Sequence, residues 1–396
     1  MRRSDSSRRR VLVAAPQPFY EDRGTPIAVL QVLRALSQLG YAIDVLTFPV
    51  GQSPVIPGVR YVRVANPLRL RSVPIGFSLR KVWLDIFLFA KLRRMLRGGS
   101  YYCIHAVEEA AFLAVLAARR SGTPVIYDMQ SSLPEQLAMH PVLGNPVTRR
   151  VARACERWLL RRASRVVCSA GLASYVERAA PGASVREWHF PSSAPTAPTS
   201  DDPELRARLG LRPDQRVVLY TGNFEDYQGT SLLVESMPDI LSRVPGAVLV
   251  LVGANGQEMP RIEEELARSA PASAHRVLRR QPREAIPSFL RIADIVVSPR
   301  THGSNLPLKA LEYLAAGCAI VATSIPAHRA VLDDDIAVLV EPTAQALGDA
   351  IVDLLENPDR ARRLRVAALR YAESNLNWIG FVRSVDELYA DIRRHD

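Results

Sequence analysis

Short apolar runs alternate with stretches of helical periodicity along the chain. The runs that predict strands are residues 11–15, 41–48, 60–64, 102–106, 124–129 and 165–169 in the first half, and 217–221, 247–252, 277–278, 292–297 and 319–322 in the second. Between most of them, apolar residues recur at helical spacing, as in 27–40 and 79–96. Strands separated by helices are typical of parallel sheets. The pattern therefore predicts an α/β fold with two doubly wound parallel sheets, one in each half.

The segment 298–332 carries the most informative local pattern. A loop rich in proline and glycine leads into a run of strong helix formers at 308–316, which Gly317 ends. Ligands of open parallel sheets bind at such loops, and the free N–H groups of a helix N-terminus suit a phosphate. Lys309 lies in the first helical turn and Glu312 about one turn later, so both face roughly the same way. The segment predicts an anion site at a helix start.

A change of composition divides the chain near its middle. Residues 191–203, PSSAPTAPTSDDP, have no apolar period and are dense in proline, serine, threonine and alanine. Such a composition predicts an interdomain linker. The predicted organisation is a basic disordered tail at 1–10, a first Rossmann-like domain at 11–190, the linker at 191–203, a second Rossmann-like domain at 204–373 and a terminal helix at 374–396.

Net charge adds a constraint on the partners. The chain of 396 residues has a formal net charge of +11, which favours anionic partners such as phosphates or a membrane surface. The sequence contains no nucleic-acid-binding module and no basic stripe interleaved with aromatic residues, so nucleic acid is not an expected partner. Lysines occur only at 81, 91 and 309 among 51 basic residues, which makes Lys309 an exception in an arginine-rich chain.

Cysteine spacing gives no sign of a metal or disulfide scaffold. The four cysteines are scattered and none forms a C-x-x-C pair. The apolar segment after the basic start spans only 11–15, which is too short for the hydrophobic region of a signal peptide. No stretch reaches the roughly 18 apolar residues that a membrane span needs. We therefore expect a cytoplasmic protein without a metal site.

Two motifs, together with the order of the features along the chain, suggest a family. T-G-N-F at 221–224 opens the second half, and L-E-Y-L-A-A-G-C-A-I-V-A-T spans 311–323. With the glycine loop near the start and the central linker, they resemble the retaining GT-B glycosyltransferases of the family 4 type (glycosyl transferases group 1) over nearly the whole chain. The resemblance implies two Rossmann-like domains facing each other across a cleft. A sugar nucleotide would bind mainly to the second domain and an acceptor mainly to the first, to which the final helix would cross back.

The same resemblance implies a chemistry without a metal, a cofactor or a covalent nucleophile. The leaving diphosphate takes the acceptor proton on the face from which it departs, so the protein supplies positioning and charge stabilisation. The implied reaction is a retaining transfer from a nucleoside diphosphate sugar to a lipid-linked or cell-surface glycan acceptor. Two other functions of this fold stay open, namely a sugar-nucleotide 2-epimerase and a non-catalytic sugar-nucleotide-binding subunit.

On the donor side, this sequence both matches and departs from the family pattern. Glu312 matches the family glutamate that binds the ribose hydroxyls, since a carboxylate accepts from both hydroxyls of a diol. Ser304 stands where the family usually has a second glutamate, and Asn223 and Gln228 stand where it offers an arginine and a lysine to the diphosphate. Lys309 is the predicted replacement and a predicted catalytic residue. The alternative for Lys309 is a solvated first-turn residue, which the helix dipole disfavours.

The remaining donor-side candidates surround these positions. Arg300 is a second candidate cation. Gly24 and Thr25 stand where the family's glycine pair lets the backbone approach the diphosphate, and a plain turn is the alternative. The predicted donor-binding set is completed by Gly222, Gly303, Asn305 and Leu306.

Strand ends in the first half carry the acceptor-side candidates. Glu108 and Asp128 are predicted to take part in catalysis with Lys309, and Gln130 stands where many family members carry a histidine. The predicted acceptor pocket is lined by His105, Gln130, Ser131 and Glu135. Strand-end and helix-cap chemistry is the alternative for this set. For His105, the alternative is a core histidine with satisfied hydrogen bonds.

The segment 69–97 has a second interpretation besides packing. Its aromatic and aliphatic face is surrounded by arginine and lysine, which is the signature of a helix lying on an anionic membrane. The alternative is an ordinary domain helix with a solvated basic edge. The first interpretation predicts a protein that is peripheral at the inner face of the membrane.

Overall fold

The computed structural model of the chain describes residues 9–21, 24–67, 69–73, 78–138, 143–192, 202–256, 258–303 and 306–392. The chain divides into two compact units. Unit 1 comprises Met1–Phe190 and Trp378–Asp396, and unit 2 comprises Pro191–Asn377. Most of the predicted N-terminal tail and most of the predicted linker lie outside the described residues.

Unit 1 contains a parallel sheet of seven strands within the described residues. The strands are β1 (Arg10–Ala15), β2 (Ala42–Thr47), β3 (Val59–Arg63), β4 (Cys103–Val107), β5 (Val125–Met129), β6 (Arg165–Cys168) and β7 (Val185–Glu187). Their order across the sheet is β3-β2-β1-β4-β5-β6-β7, and each neighbouring pair is parallel. The order therefore reverses between β1 and β4, which makes this the topological switch point of the sheet.

Helices connect these strands and cover their apolar faces. They are α1 (Gly24–Gln38), α2 (Leu79–Gly98), α3 (Ala110–Ala118), α4 (Leu133–Ala138), α5 (Pro146–Leu160) and α6 (Ala170–Ala179). The central strands β4 and β5 are buried along their whole length, as expected for apolar runs enclosed on both faces. Leu84, Leu88 and Leu92 of α2 join the same core, so one face of this helix packs on the unit.

Unit 2 repeats the architecture with six parallel strands within the described residues. The strands are β8 (Arg216–Thr221), β9 (Ala247–Ala254), β10 (His275–Arg279), β11 (Ile295–Ser298), β12 (Ile320–Thr323) and β13 (Val338–Val340). Their order is β10-β9-β8-β11-β12-β13, and each neighbouring pair is parallel. The switch point of this sheet lies between β8 and β11. The predicted fold class, two parallel-sheet α/β domains, is confirmed.

Nine helices of unit 2 lie in its described part. They are α7 (Pro203–Arg208), α8 (Thr230–Glu235), α9 (Met237–Arg243), α10 (Glu258–Ser269), α11 (Ile286–Ile292), α12 (Leu308–Ala315), α13 (Pro326–Arg329), α14 (Ala344–Glu356) and α15 (Pro358–Asn375). One predicted strand boundary is wrong: the run 292–297 begins inside α11, and β11 starts only at Ile295. Ile292 is the last residue of a helix whose buried face includes Phe289 and Leu290. A helix face and a strand that follow each other this closely form one continuous apolar run, so their boundary is invisible in the pattern.

The last helix, α16 (Trp378–Asp391), belongs to unit 1. Phe381 packs edge-on against Trp188 at 5.6 Å between ring centroids, and Trp378 donates its Nε1–H to Gln38 at 2.8 Å. The hydroxyl of Tyr102 donates to the backbone carbonyl of Tyr389 at 2.5 Å. These contacts bind the helix to unit 1 through aromatic packing and through hydrogen bonds. Among all described helices, none is both long enough and apolar enough to cross a bilayer.

Candidate functional site

Two loops at the switch point of unit 2 interlock. The loop after β8 and the loop after β11 meet where Thr301 donates its backbone N–H to the carbonyl of Tyr227 at 2.9 Å. Gly229 has a φ of +70°, and a Cβ added there would lie 2.0 Å from the carbonyl oxygen of Pro299. Only glycine allows this approach, so Gly229 lets the two loops lie close together.

Lys309 in the first turn of α12 extends into the loop after β8. Its Nζ donates to the hydroxyl of Tyr220 at 2.8 Å and to Oε1 of Gln228 at 2.9 Å, and it lies 4.1 Å from the centroid of the Tyr220 ring. Within the described part of the chain, no carboxylate lies within ion-pair distance of this ammonium. Burial, and then the nearby charge of Arg300, lower the pKa of Lys309 well below its ordinary value, while Glu312 opposes the shift.

Arg300 adds a second cation to this region. The residue is 6% exposed, and its guanidinium carbon lies 4.9 Å from the centroid of the Tyr227 ring. Its Nε donates to the carbonyl of His302 at 3.0 Å. A Cβ on Gly303 would lie 2.6 Å from one guanidinium nitrogen, so the loop after β11 wraps closely around this side chain. Two cationic groups are therefore concentrated beside the switch point of unit 2.

His328 lies beneath the same loop and was not predicted. It is fully buried; its Nε2 lies 2.8 Å from Oγ of Ser298, and its Nδ1 lies 2.7 Å from the carbonyl of Thr323. The hydroxyl of Thr323 in turn donates to the backbone carbonyl of Arg300. Burial lowers the pKa of His328 to about 4, and the charges of Arg300 and Lys309 add to the shift. A neutral imidazole thus connects the ends of two strands to the loop that carries Arg300.

Glu312 forms an ion pair that sequence reasoning missed. Arg283, which precedes α11, donates to Oε1 of Glu312. The two residues are 29 positions apart, and no motif at Arg283 indicated the contact. The carboxylate predicted to bind a ribose is therefore held in place by an arginine, which suits a group that must present its oxygens in one orientation.

The other predicted donor residues of unit 2 lie around these groups. Asn223 is exposed, and its backbone carbonyl accepts from the hydroxyl of Tyr220 at 2.6 Å. A Cβ on Gly222 would lie 2.8 Å from Nζ of Lys309. Leu306 precedes α12 and accepts at its carbonyl from the backbone N–H of Leu308 at 3.1 Å. Ser304 and Asn305 lie outside the described residues.

In unit 1, Gly24 and Thr25 start α1, directly after the loop that follows β1. A Cβ added to Gly24 would have no heavy atom of the described residues within 4 Å, its own chain neighbours and helix backbone left aside. Packing against the described residues of unit 1 therefore does not require glycine at this position. The predicted approach of a diphosphate to this helix start remains a prediction.

Glu108 follows β4 on the other side of the same switch point. Its φ is +51°, a conformation that is uncommon for a residue with a side chain and is often found at functional sites. Its carboxyl accepts from Oγ of Ser131 at 2.9 Å and from Nε2 of Gln136 at 3.2 Å. Burial, followed by the charge of Glu109, raises the pKa of Glu108 to about 8. The structure thus joins the predicted residues Glu108 and Ser131 and adds Gln136.

His105, Asp128 and Gln130 form one hydrogen-bonded series at the ends of β4 and β5. Nε2 of His105 lies 3.1 Å from Oδ2 of Asp128, and Nε2 of Gln130 donates to Oδ1 at 2.5 Å. Nδ1 of His105 lies 2.9 Å from the hydroxyl of Tyr389. His105 and Asp128 are each 1% exposed, and both ring nitrogens of the histidine are occupied. His105 is therefore a core histidine with satisfied hydrogen bonds, the alternative considered from the sequence.

The predicted residue Glu135 lies in α4, and Glu156, a carboxylate that was not predicted, contacts the start of this helix. Glu135 occupies the first turn of this helix, where a negative charge is favourable. Glu156 of α5 is buried and accepts from the backbone N–H of Leu133 at 2.7 Å and from the hydroxyl of Tyr175. Burial raises the pKa of Glu156. Glu156 thereby fixes the start of the helix that follows Ser131.

The two units match two known sequence profiles. The glycosyl transferases group 1 profile matches residues 201–371, and the glycosyl transferase 4-like domain profile matches residues 23–189. The chain belongs to the glycosyl transferases group 1 family. This confirms the predicted enzyme class: the protein is a glycosyltransferase.

Known proteins resemble this glycosyltransferase over nearly its full length. A phosphatidyl-myo-inositol mannosyltransferase of Mycobacterium tuberculosis is 24% identical over 393 residues and covers 97% of each chain. Sucrose-phosphate synthase from Thermosynechococcus elongatus superposes with a TM-score of 0.79 at 21% identity, covering 98% of this chain and 100% of that one. Anabaena Alr3699/HepE in complex with UDP superposes with a TM-score of 0.75 at 17% identity, covering 97% and 100%. The structural likenesses support the GT-B fold.

Proposed function

We propose that this glycosyltransferase moves a sugar, with retention of configuration, from a nucleoside diphosphate sugar to a lipid-linked acceptor. The observation that carries the donor part is the ammonium of Lys309, which is partly buried and, among the described residues, bonds to the neutral groups of Tyr220 and Gln228. A buried cation is costly unless an opposite charge compensates it. A diphosphate at the start of α12 supplies that charge at the place where open parallel sheets bind ligands.

The proposed reaction needs few groups from the protein. The bond between the anomeric carbon and the diphosphate oxygen breaks, and a bond from the same carbon to the acceptor oxygen forms. The departing diphosphate takes the proton of the acceptor hydroxyl, so atoms and charges balance. Lys309 stabilises the negative charge that develops on the leaving group, with Arg300 as a second cation. Glu312, oriented by Arg283, accepts from the ribose hydroxyls.

The proposed acceptor rests on a likeness and on an exposed surface. The mycobacterial relative is named for transfer to phosphatidyl-myo-inositol, which is a lipid. In unit 1, α2 exposes Trp83 at 42% and Ile86 at 57%, and Arg80 lies on the same helix. Exposed aromatic and aliphatic side chains beside arginine suit the interface of an anionic membrane. We propose that this face of α2 brings the enzyme to its lipid acceptor as a peripheral protein.

A nucleotide panel tests the donor part of the proposal. Thermal shifts are measured with UDP, GDP and ADP and with their sugars, for the wild type, Lys309→Met and Arg268→Met. Arg268 is an exposed arginine of α10 and serves as the matched control for the loss of one positive charge. At least one nucleotide should stabilise the wild type and the control but not Lys309→Met. Absence of any shift with the wild type would refute the proposal.

The configuration of the product tests retention. The donor identified in the panel is incubated with vesicles that contain phosphatidylinositol, and the anomeric configuration of the product is determined by NMR. Retention predicts the same configuration in donor and product. An inverted product would refute this part of the proposal. If a nucleotide binds but its sugar is transferred to no lipid, the protein binds a donor and the proposed lipid acceptor is refuted.

A further inference from the structure

A buried hydrogen-bonded series runs from the last helix of unit 1 to a strand end. It joins, in order, the hydroxyl of Tyr389, the ring of His105, the carboxylate of Asp128 and the amide of Gln130. The three contacts measure 2.9, 3.1 and 2.5 Å. The first three residues are buried, whereas Gln130 is partly exposed at the carboxyl end of β5. The series therefore ends at the edge of the sheet where ligands bind.

The chemistry of each group fixes the direction of the hydrogen bonds. An ionised carboxylate only accepts, so His105 must present Nε2–H to Asp128 and Gln130 must present its NH₂ group. With its proton on Nε2, the ring accepts at Nδ1 a hydrogen bond from the hydroxyl of Tyr389. Burial raises the pKa of Tyr389 well above its ordinary value, so this residue stays a phenol that can donate. Every bond in the series then points towards Asp128.

Aromatic packing holds the histidine ring in one plane. The ring of Trp188 lies 5.8 Å from the His105 ring at an angle of 15°, and the ring of Tyr389 lies 6.2 Å away at 9°. Both neighbours are almost fully buried. The imidazole therefore cannot turn over without moving two large side chains, and its two nitrogens keep their partners.

The consequence appears at the exposed end of the series. Because the NH₂ group of Gln130 faces Asp128, its Oε1 must face away from the carboxylate. None of the described groups of the protein donates a hydrogen bond to this oxygen. An amide that is free to rotate can present either its oxygen or its nitrogen to a ligand, whereas the amide of Gln130 presents only its oxygen. Its preference is therefore for a donor, such as a hydroxyl group.

We propose that Gln130 is a specificity residue whose Oε1 accepts a hydrogen bond from a substrate hydroxyl, and that Asp128, His105 and Tyr389 are positioning residues that hold the amide in this orientation. This inference rests on the proposed function, since the substrates are taken to be alcohols. The hydroxyl belongs either to the transferred sugar or to the acceptor, and the chemistry of recognition is the same for both. Asp128 thereby acts through Gln130 rather than by contact with the reacting atoms.

A pair of tyrosine variants separates the effect of this hydrogen-bonded series from the effect of losing any buried hydrogen bond. Tyr389→Phe removes the hydroxyl that bonds His105, whereas Tyr102→Phe removes a buried hydroxyl of the same cluster that bonds the backbone of α16 instead. Both variants lose one hydrogen bond, so similar losses of thermal stability are expected. Only Tyr389→Phe should lower kcat/KM, by about 2- to 10-fold, since a typical hydrogen bond contributes about 0.5–1.5 kcal/mol. Equal kcat/KM values in the two variants would overturn the proposal.

Substrate analogues identify the hydroxyl. Gln130→Leu keeps the approximate size of the side chain and removes the acceptor, and Asp128→Asn allows the amide of Gln130 to turn. For each variant, kcat/KM is compared between the substrates and their monodeoxy analogues, first for the donor sugar and then for the acceptor. The wild type should discriminate against one analogue by about 10-fold or more, and both variants should lose that discrimination. Unchanged discrimination in Gln130→Leu for every analogue would refute the assigned role.

A spectroscopic measurement keeps the inference testable without turnover. The ¹⁵N shifts of His105 should indicate a proton on Nε2 in the wild type, and this signature should change in Asp128→Asn. Tyr389→Phe keeps Asp128, so it should keep the Nε2 proton and shift only the Nδ1 resonance, whereas Tyr102→Phe should change neither. A proton on Nδ1 in the wild type would overturn the proposal. If the wild type transfers no sugar but shows the Nε2 tautomer, the proposed function fails while the hydrogen-bonded series stands.

Discussion

Nζ of Lys309 lies 2.9 Å from Oε1 of Gln228, the residue that stands where the family usually offers a lysine to the diphosphate. The cation and the amide are thus next to each other although they are 81 positions apart in the chain. We propose that Lys309 of α12 supplies the charge that is missing from the loop after β8. A lysine at position 228 or at position 309 would therefore place an ammonium in the same region.

An exchange of the two residues tests this relationship. Lys309→Gln should lower kcat by about 10²- to 10³-fold, because it removes a group that stabilises charge in the transition state. The double variant Gln228→Lys with Lys309→Gln returns an ammonium to the same region and should recover at least about 10-fold. Steady-state kinetics with the donor found in the nucleotide panel measures both effects. Arg268→Met is the control for net charge and should retain wild-type activity.

The proposed ribose contact predicts that a variant of Glu312 loses the discrimination between a nucleotide and its 2′-deoxy analogue. Glu312→Gln keeps the size of the side chain but weakens its acceptance from a diol, and a hydrogen bond to a charged group contributes about 1.5–3 kcal/mol. The wild type should therefore bind the nucleotide at least about 10-fold more tightly than the corresponding 2′-deoxynucleotide. In Glu312→Gln this ratio should approach one, as measured by calorimetry. An unchanged ratio would remove Glu312 from the ribose site.

Local sequence patterns could predict part of the site, for a physical reason. The predicted residues Gly222, Lys309 and Glu312 lie in the loop after β8 or in the first turns of a helix, where a few neighbouring residues determine the backbone. The contacts of Arg283 and His328 depend instead on which strands become neighbours. Ser298 and His328, for example, are 30 positions apart and meet only once β11 and β12 have paired. Alternating strands and helices predicted the parallel sheets, but they do not specify which buried polar groups meet.

The raised pKa of Glu108 predicts how stability depends on pH. The ordinary value is near 4.5 and the folded value is about 8, so the native state binds a proton that the unfolded state has released between these values. The resulting stabilisation is complete below pH 4.5 and is lost as pH rises through 8. Relative to Glu108→Gln, which cannot titrate, the wild type should lose at least about 1 kcal/mol between pH 5 and 8. Denaturant unfolding measures this difference, with Glu177→Gln, a substitution at an exposed position, as the control.

The lowered pKa of His328 predicts that stability depends on pH in the opposite direction, at lower pH. Its pKa falls from an ordinary value near 6.5 to about 4, so the folded state holds a neutral ring where the unfolded state takes up a proton. Its contribution to stability is present above pH 6.5 and is lost as pH falls through 4. Relative to His328→Gln, the wild type should lose stability between pH 6.5 and 4.5 in thermal unfolding. A parallel pH dependence of the two proteins would contradict this, and the exposed His189→Gln is the control.

The exposed face of α2 predicts binding to anionic membranes. The double variant Trp83→Ser with Ile86→Ser removes two exposed apolar side chains, and it should weaken binding to vesicles of phosphatidylglycerol by about 10-fold or more. Ile379→Ser removes an apolar side chain of unit 1 that is 72% exposed on α16, and it should leave binding unchanged. Vesicle co-sedimentation measures both, with neutral phosphatidylcholine as the reference lipid. If the double variant and the control bind alike, α2 lies on the enzyme as an ordinary surface helix, and the lipid acceptor must be reached through another surface.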